Sequence, residues 1–113
     1  MLTIRMQQME VLGRARAEAF EREMAAHLGR RFPRAHFASG EPHLRSFVAE
    51  GIRLGRTFGL SDRFDLRRFL EFRAEYGENF HQLDWAARIL NDKHLSGCGK
   101  MEQIDSYSLY TLR

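Results

Sequence analysis

Only two prolines occur among the 113 residues, at positions 33 and 42, and this narrows the fold more than any other feature. Proline inside a helix costs ~3 kcal/mol, so nearly all of the chain outside that short segment is free to be helical. From Ile4 to about Arg31 the apolar residues Met6, Met9, Leu12, Ala15, Ala19, Phe20, Met24 and Leu28 recur at three- and four-residue steps. That spacing predicts one long amphipathic helix. Thr3 fits its N-cap, and Phe32-Pro33 fits its stop, because the residue before proline is pushed out of the α region. Gly13 is its weak point, less helix-favouring than alanine by ~1 kcal/mol.

The helical spacing resumes after a connection over 34–40. Ser39 fits the cap of a second helix with Pro42 in its first turn and Leu44, Phe47, Val48, Gly51, Ile52, Gly55 and Phe58 on one face, ended by Gly59. Ser61 is the expected cap of a third helix, with Asp62 and Asp65 in its first turn, Phe64, Leu66, Phe69, Leu70, Phe72 and Tyr76 in its body, and Gly77 as its stop. A short helix from about Asp84 to Leu90 buries Trp85, Ile89 and Leu90. Ser96-Gly97-Cys98-Gly99 reads as a turn. The end, Lys100 to Leu112, suits a helix with Met101, Ile104 and Tyr107 on one face, but Ser106, Tyr107, Ser108, Tyr110 and Thr111 suit a strand nearly as well. No repeat or alternating strand pattern occurs elsewhere. The prediction is an all-α fold: a compact single-domain helical bundle of about four to five helices with a long N-terminal helix, spanning residues 1–113. Phe20, Met24, Phe47, Ile52, Phe69 and Trp85 are the expected core.

Composition excludes several classes. With 43% hydrophobic and 12% aromatic residues the chain is too rich in core-formers for a disordered tail. Charged residues interrupt every apolar run long before the ~18 to 20 residues that cross a bilayer. The opening Met1-Leu2-Thr3-Ile4-Arg5-Met6 meets charge before a secretory apolar region forms. The expectation is a cytoplasmic protein without membrane contact. One cysteine, Cys98, leaves no internal disulfide and no multi-cysteine zinc site.

Catalytic chemistry finds little support. His27, His36, His43, His81 and His94 never fall three or four apart on one predicted helix, so no metal and no cofactor are expected. Cys98, between two glycines, should be exposed, yet only Lys100 is near enough in sequence to activate a thiol. Glu71 and Glu75 share a helix face, but with Arg67, Arg68 and Arg73 interleaved they read as a solvated, salt-bridged face rather than as a catalytic pair. Gly51 and Gly55, four apart, favour close helix packing over a ligand notch. The sequence reads as that of a non-enzyme.

Charge speaks to partners. The net charge is +3, and sixteen of the eighteen basic residues are Arg, whose planar fork suits interfaces of several kinds. Arg53, Arg56, Arg63 and Arg67, flanking the second and third helices, are the expected partner-binding residues, since arginine is enriched at interface hot spots. A nucleic-acid role is the alternative. The stretch from Leu54 to Phe72 has the length of a helix-turn-helix, but its second helix opens Ser61-Asp62-Arg63-Phe64-Asp65, with two carboxylates toward a polyanion. The apolar stripe of the first helix, Met6, Met9, Phe20, Met24 and Leu28, also allows a homodimer, though packing against the other helices accounts for it more simply.

Several segments together resemble a known group. They are Ile4-Arg5-Met6-Gln7-Gln8-Met9-Glu10, the Ala-rich helix ending His27-Leu28 and Phe32-Pro33, Gly51-Ile52, Phe58-Gly59-Leu60-Ser61, and Asp65-Leu66 with Arg68-Phe69-Leu70-Glu71-Phe72. Tyr76-Gly77, Asn79-Phe80, Trp85-Ala86 and Ile89-Leu90 follow in the same order. This order resembles small uncharacterised bacterial helical proteins encoded beside type VI secretion effectors and their spike components. Ser96-Gly97-Cys98-Gly99 and the Tyr/Ser-rich end fit least well. The resemblance implies an accessory protein that binds another protein, a secreted effector or its carrier, as chaperone, adaptor or immunity partner. The positive balance argues against a basic nuclease as that partner.

Overall fold

The computed structural model describes the backbone of residues 2–32 and 41–110 and the side chains of 13–32 and 44–110. Five α-helices follow in order: α1 (Leu2–Arg31), α2 (Glu41–Thr57), α3 (Arg63–Tyr76), α4 (Asp84–Leu90) and α5 (Gly97–Tyr110), with a 3₁₀ turn at Phe80–Gln82 before α4. No strand occurs among the described residues, and the all-α prediction holds. The undecided end is helix α5 as far as Tyr110.

Three helix starts differ from the sequence reading. α1 takes in Leu2, so Thr3 lies inside its first turn instead of capping it. The expected cap Ser39 lies outside the described residues. The cap of α3 is Asp62, one residue beyond Ser61: its Oδ1 accepts from the Phe64 N–H at 2.7 Å. Ser61 is left exposed. α5 opens three residues earlier than expected, at Gly97. Ser96 is not in a free turn but provides the start, its Oγ accepting from Gly99 N–H at 3.1 Å and its carbonyl from Lys100 N–H at 2.9 Å.

The exit from α2 explains where α5 must lie. Gly59, at φ +86°, lets Leu60 N–H reach back to Gly55 O at 3.1 Å and Gly59 N–H to Arg56 O at 3.0 Å, the paired bonds of a Schellman motif. Gly97 sits against this turn so closely that a Cβ there would lie 2.5 Å from Gly59 O. From the next turn of α5, Lys100 Nζ donates to Phe58 O at 2.6 Å. A cation thus caps carbonyls at a helix C-terminus, where the dipole favours positive charge.

α3 is the centre of the bundle, in contact with α1, α2, the 3₁₀ turn and α5. Leu66, Phe69, Leu70 and Phe72 of α3 meet Phe20, Met24 and Leu28 of α1, Phe47, Val48 and Ile52 of α2, and Met101 and Ile104 of α5 in one core. Five of the six expected core residues are buried. Trp85 is half-buried instead, at the edge of an aromatic row running through Phe69, Phe80 and Tyr76. Gly51 and Gly55 serve close packing: a Cβ would lie 2.4 Å from Leu70 Cδ2 at Gly51 and 2.9 Å from Leu66 Cδ2 at Gly55.

Arg73 corrects the reading of α3 as carrying a solvated arginine face. It is 1% exposed. Its Nη1 donates to Phe47 O at 3.1 Å, its Nε to Glu78 O at 3.4 Å, and its guanidinium lies 4.5 Å from the centre of the Phe47 ring. Burial pushes its pKa down, against the opposing pull of Glu50 and Glu78. The bare Cα of Gly51 makes the room, since a Cβ there would lie 2.7 Å from Arg73 Nη1.

Candidate functional site

The four arginines expected to bind a partner divide into two pairs. Arg53 and Arg56, one helical turn apart on α2, are exposed and have no ion-pair partner among the described residues. Arg63 is engaged: its Nη2 lies 2.7 Å from Glu23 Oε2, and its guanidinium lies 5.2 Å from the centre of the Phe20 ring. Arg67 is engaged as well, with Nε 3.7 Å from Glu71 Oε1. Glu71 is a junction of ion pairs, since Arg31 Nε at 3.2 Å and His27 Nε2 at 3.6 Å also approach it from α1. Glu75, its expected companion on the same face, is exposed.

Arg56 and Arg63 converge on a groove of about 590 Å³ between α1, α2 and the start of α3. Ala17, Phe20, Ile52 and Leu66 line it, and Arg16 brings a third cation to the rim against Glu21 and Glu23. Arg53 and Arg67 are not among its lining residues. The arrangement offers an apolar floor with guanidinium groups along its edge, suited to an apolar side chain beside a carboxylate.

A second groove, of about 490 Å³, opens between α4 and α5. Trp85, Arg88 and Ile89 form one wall, and Gln103, Ser106, Tyr107 and Tyr110 form the other. Each set shares a helix face at three- and four-residue spacing. The Trp85 and Tyr107 rings stack with centroids 4.8 Å apart and planes 7° from parallel, while Tyr110 is 84% exposed. Sequence reasoning treated these residues as core or as a doubtful end. The missed signal was the matching of Trp85/Arg88/Ile89 with Gln103/Tyr107/Tyr110, visible only once α5 is known to be helical.

The acids at the start of α3 gather around Cys98. Burial, with Asp62 and Glu102 nearby, pushes the Asp65 pKa up. Asp65 and Glu102 in turn push the Cys98 thiol up, and its Sγ lies 3.8 Å from Glu102 Oε1. These carboxylates favour the thiol over the thiolate. Among the described residues no group of three or more His, Cys, Asp or Glu is placed to hold a metal ion, and no helix is long and apolar enough to cross a membrane.

No family model matches the chain, and neither the curated proteins nor the solved structures contain a match.

Proposed function

We propose that this chain is a non-enzymatic accessory protein that binds another protein, and that its partner is a bacterial type VI secretion effector or the component that carries it. The chain then acts as chaperone, adaptor or immunity partner. The binding reading is carried by one observation: Arg56, exposed and without an ion-pair partner among the described residues, stands at the lip of a groove with an apolar floor. Arg53 extends the cationic edge along α2. The assignment to secretion rests on the ordered segments from Ile4 to Leu90 described above.

DNA binding through α2 and α3 is the weaker reading. α3 is committed to the core along most of its length, with Asp65, Leu66, Phe69, Leu70, Phe72, Arg73 and Ala74 buried. Its exposed opening presents Asp62, and Arg63 and Arg67 are already paired with Glu23 and Glu71. Little basic surface is left there for a phosphate backbone.

The test is a tagged pull-down from the native lysate with and without nuclease, comparing the wild type with an Arg53→Ser/Arg56→Ser variant. Those two positions are chosen because changing them breaks no ion pair among the described residues. One protein recovered at fixed stoichiometry, insensitive to nuclease and lost with the variant, is the expected result. Expressing that protein with and without this chain then separates protection from toxicity from delivery. Recovery of nucleic acid, with binding that weakens steeply as salt rises, overturns the reading.

A further inference from the structure

We infer that two copies of this chain pair through α1, antiparallel about a two-fold axis at Gly13, so that the part of α1 before Gly13 in each copy fills the other's groove between α1, α2 and α3. This goes beyond the accessory reading and does not rest on it: a partner protein that enters the same groove displaces the second copy.

α1 changes character along its length. Phe20, Met24, Ala25 and Leu28 are buried in the core, which accounts for the later part of its apolar stripe. Gly13, Arg14, Ala15 and Arg16, a whole turn, are all exposed, and a Cβ at Gly13 would meet nothing within 4 Å. The helix nonetheless continues unbroken back to Leu2, roughly 16 Å further at 1.5 Å per residue. This extension is built with Leu2, Ile4, Met6, Met9, Val11 and Leu12. A helix so apolar, lying beyond a turn that its own bundle leaves bare, draws its stability from packing an amphipathic face.

Spacing and charge select the second copy and its direction. On α1 the groove is lined by Gly13, Ala17 and Phe20, at steps of four and three residues. The same steps taken backward from Gly13 reach Met9 and Met6, so these five positions form one stripe that is symmetric about Gly13. In an antiparallel pair centred there, Met9 of each copy comes level with Ala17 of the other and Met6 with Phe20, the self-complementary contact that two-fold symmetry demands. The two glycines at the axis let the backbones approach closely. The charges follow the same register. Glu10 comes level with the second copy's Arg16, and Arg5 with its Glu21, both of which line the groove. A parallel pair in register would set Arg5, Glu10 and Arg16 each against its own copy, which is repulsive. It would also bring both bundles to the same end of the seam, because the stripe that carries Gly13 runs into the core at Phe20; the antiparallel pair keeps them at opposite ends.

Sizing of the purified full chain by light scattering should give twice the 13.3 kDa of one copy. Gly13→Glu should weaken the dimer at least tenfold, because it sets two carboxylates against each other at the axis, while circular dichroism verifies that the fold survives a change at this exposed position. Orientation is read with cysteines in a Cys98→Ser background. Met9→Cys combined with Ala17→Cys should form a disulfide-linked dimer on oxidation, and Met9→Cys alone should not; the two positions lie about two turns apart on one helix, too far to bridge within a copy. The mass of a single copy at submillimolar concentration overturns the inference. So does a dimer that Gly13→Glu leaves intact, or cross-linking by Met9→Cys alone, the mark of a parallel pair. The tagged pull-down keeps the two readings apart: a monomeric chain that still recovers a partner protein sinks the dimer alone, and a dimer from which no partner protein is recovered sinks the accessory reading alone.

Discussion

Gly13 and Gly97 both lie in helices, yet their substitution should have opposite effects. A Cβ at Gly13 meets nothing within 4 Å, so Gly13→Ala should stabilise the fold by up to ~1 kcal/mol through helix propensity. At Gly97 the obstacle is the Gly59 carbonyl and the Leu60 Cα, backbone atoms that cannot rotate aside. Gly97→Ala should cost ~1 to 3 kcal/mol even after the propensity gain; thermal melts of the two variants should move in opposite directions from the wild type. His81 supplies a pH prediction. Burial and the nearby Arg73 push its pKa below the ordinary 6.5, against weaker opposing effects of Glu78 and Glu50, and its Nδ1 is buried without a hydrogen-bond partner. The unfolded chain therefore binds the proton more readily than the folded one. His81 then costs nothing above the unfolded value and destabilises the fold as pH falls below about 6.5, the loss growing until the lowered folded pKa is passed. Urea denaturation at pH 7.5 and pH 5 should show this drop, and His81→Gln should reduce it; an identical drop in the variant would assign the effect elsewhere. Neither His81 nor Arg73 could be placed from sequence, because distant parts of the chain surround them: His81 is half-buried beside the Phe58 ring, and the buried Arg73 reaches a carbonyl 26 residues away with its Nη1.

At the scale of elements, the helix interiors were legible and the boundaries less so. Apolar spacing located the bodies of α1, α2, α3 and α4, because a helix must bury one stripe and that stripe is local information. The starts of α3 and α5 were misplaced because Ser61 and Asp62 are both good caps, and because Gly97 and Gly99 look like a turn until the close approach to Gly59 explains the first of them. Asp62 holds the cap because its backbone is extended, at φ −74° and ψ 139°, with its carboxylate on Phe64 N–H. Asp62→Ala should accordingly cost ~1 kcal/mol, the usual loss of a cap, whereas Ser61→Ala should stay within ~0.5 kcal/mol, as for an exposed side chain without a special role. Chemical denaturation of the pair checks the assignment; the reverse order would restore Ser61. The candidate surfaces were legible only in part. The arginines were visible as residue types, but which of them are spent on Glu23 and Glu71 depends on how α1 lies against α3.

The whole molecule is tied together across long sequence separations, and this makes its cooperativity testable. One core draws on α1, α2, α3, α4 and α5. Polar links also join distant elements, among them Lys100 to the end of α2, Tyr76 to Ser108 at 3.2 Å, and Arg68 of α3 to Asp105 of α5. Trp85 sits near the far edge, yet its neighbours Phe80 and Tyr76 pass contact inward to Phe72 and Phe69 on α3. Its emission should therefore report loss of the entire core and not local loosening of α4. Unfolding followed by Trp85 fluorescence and by helical circular dichroism should give coincident midpoints, as a two-state domain requires. Phe69→Ala, at the centre of the row and fully buried, should lower both midpoints together by removing ~3 to 5 kcal/mol, a large share of the ~5 to 15 kcal/mol on which domains of this kind survive. A fluorescence midpoint well below the helical one would instead show that α4 and α5 open before the α1–α3 core. The Trp85–Tyr110 groove would then belong to a separately unfolding unit, less stable than the α1–α3 core.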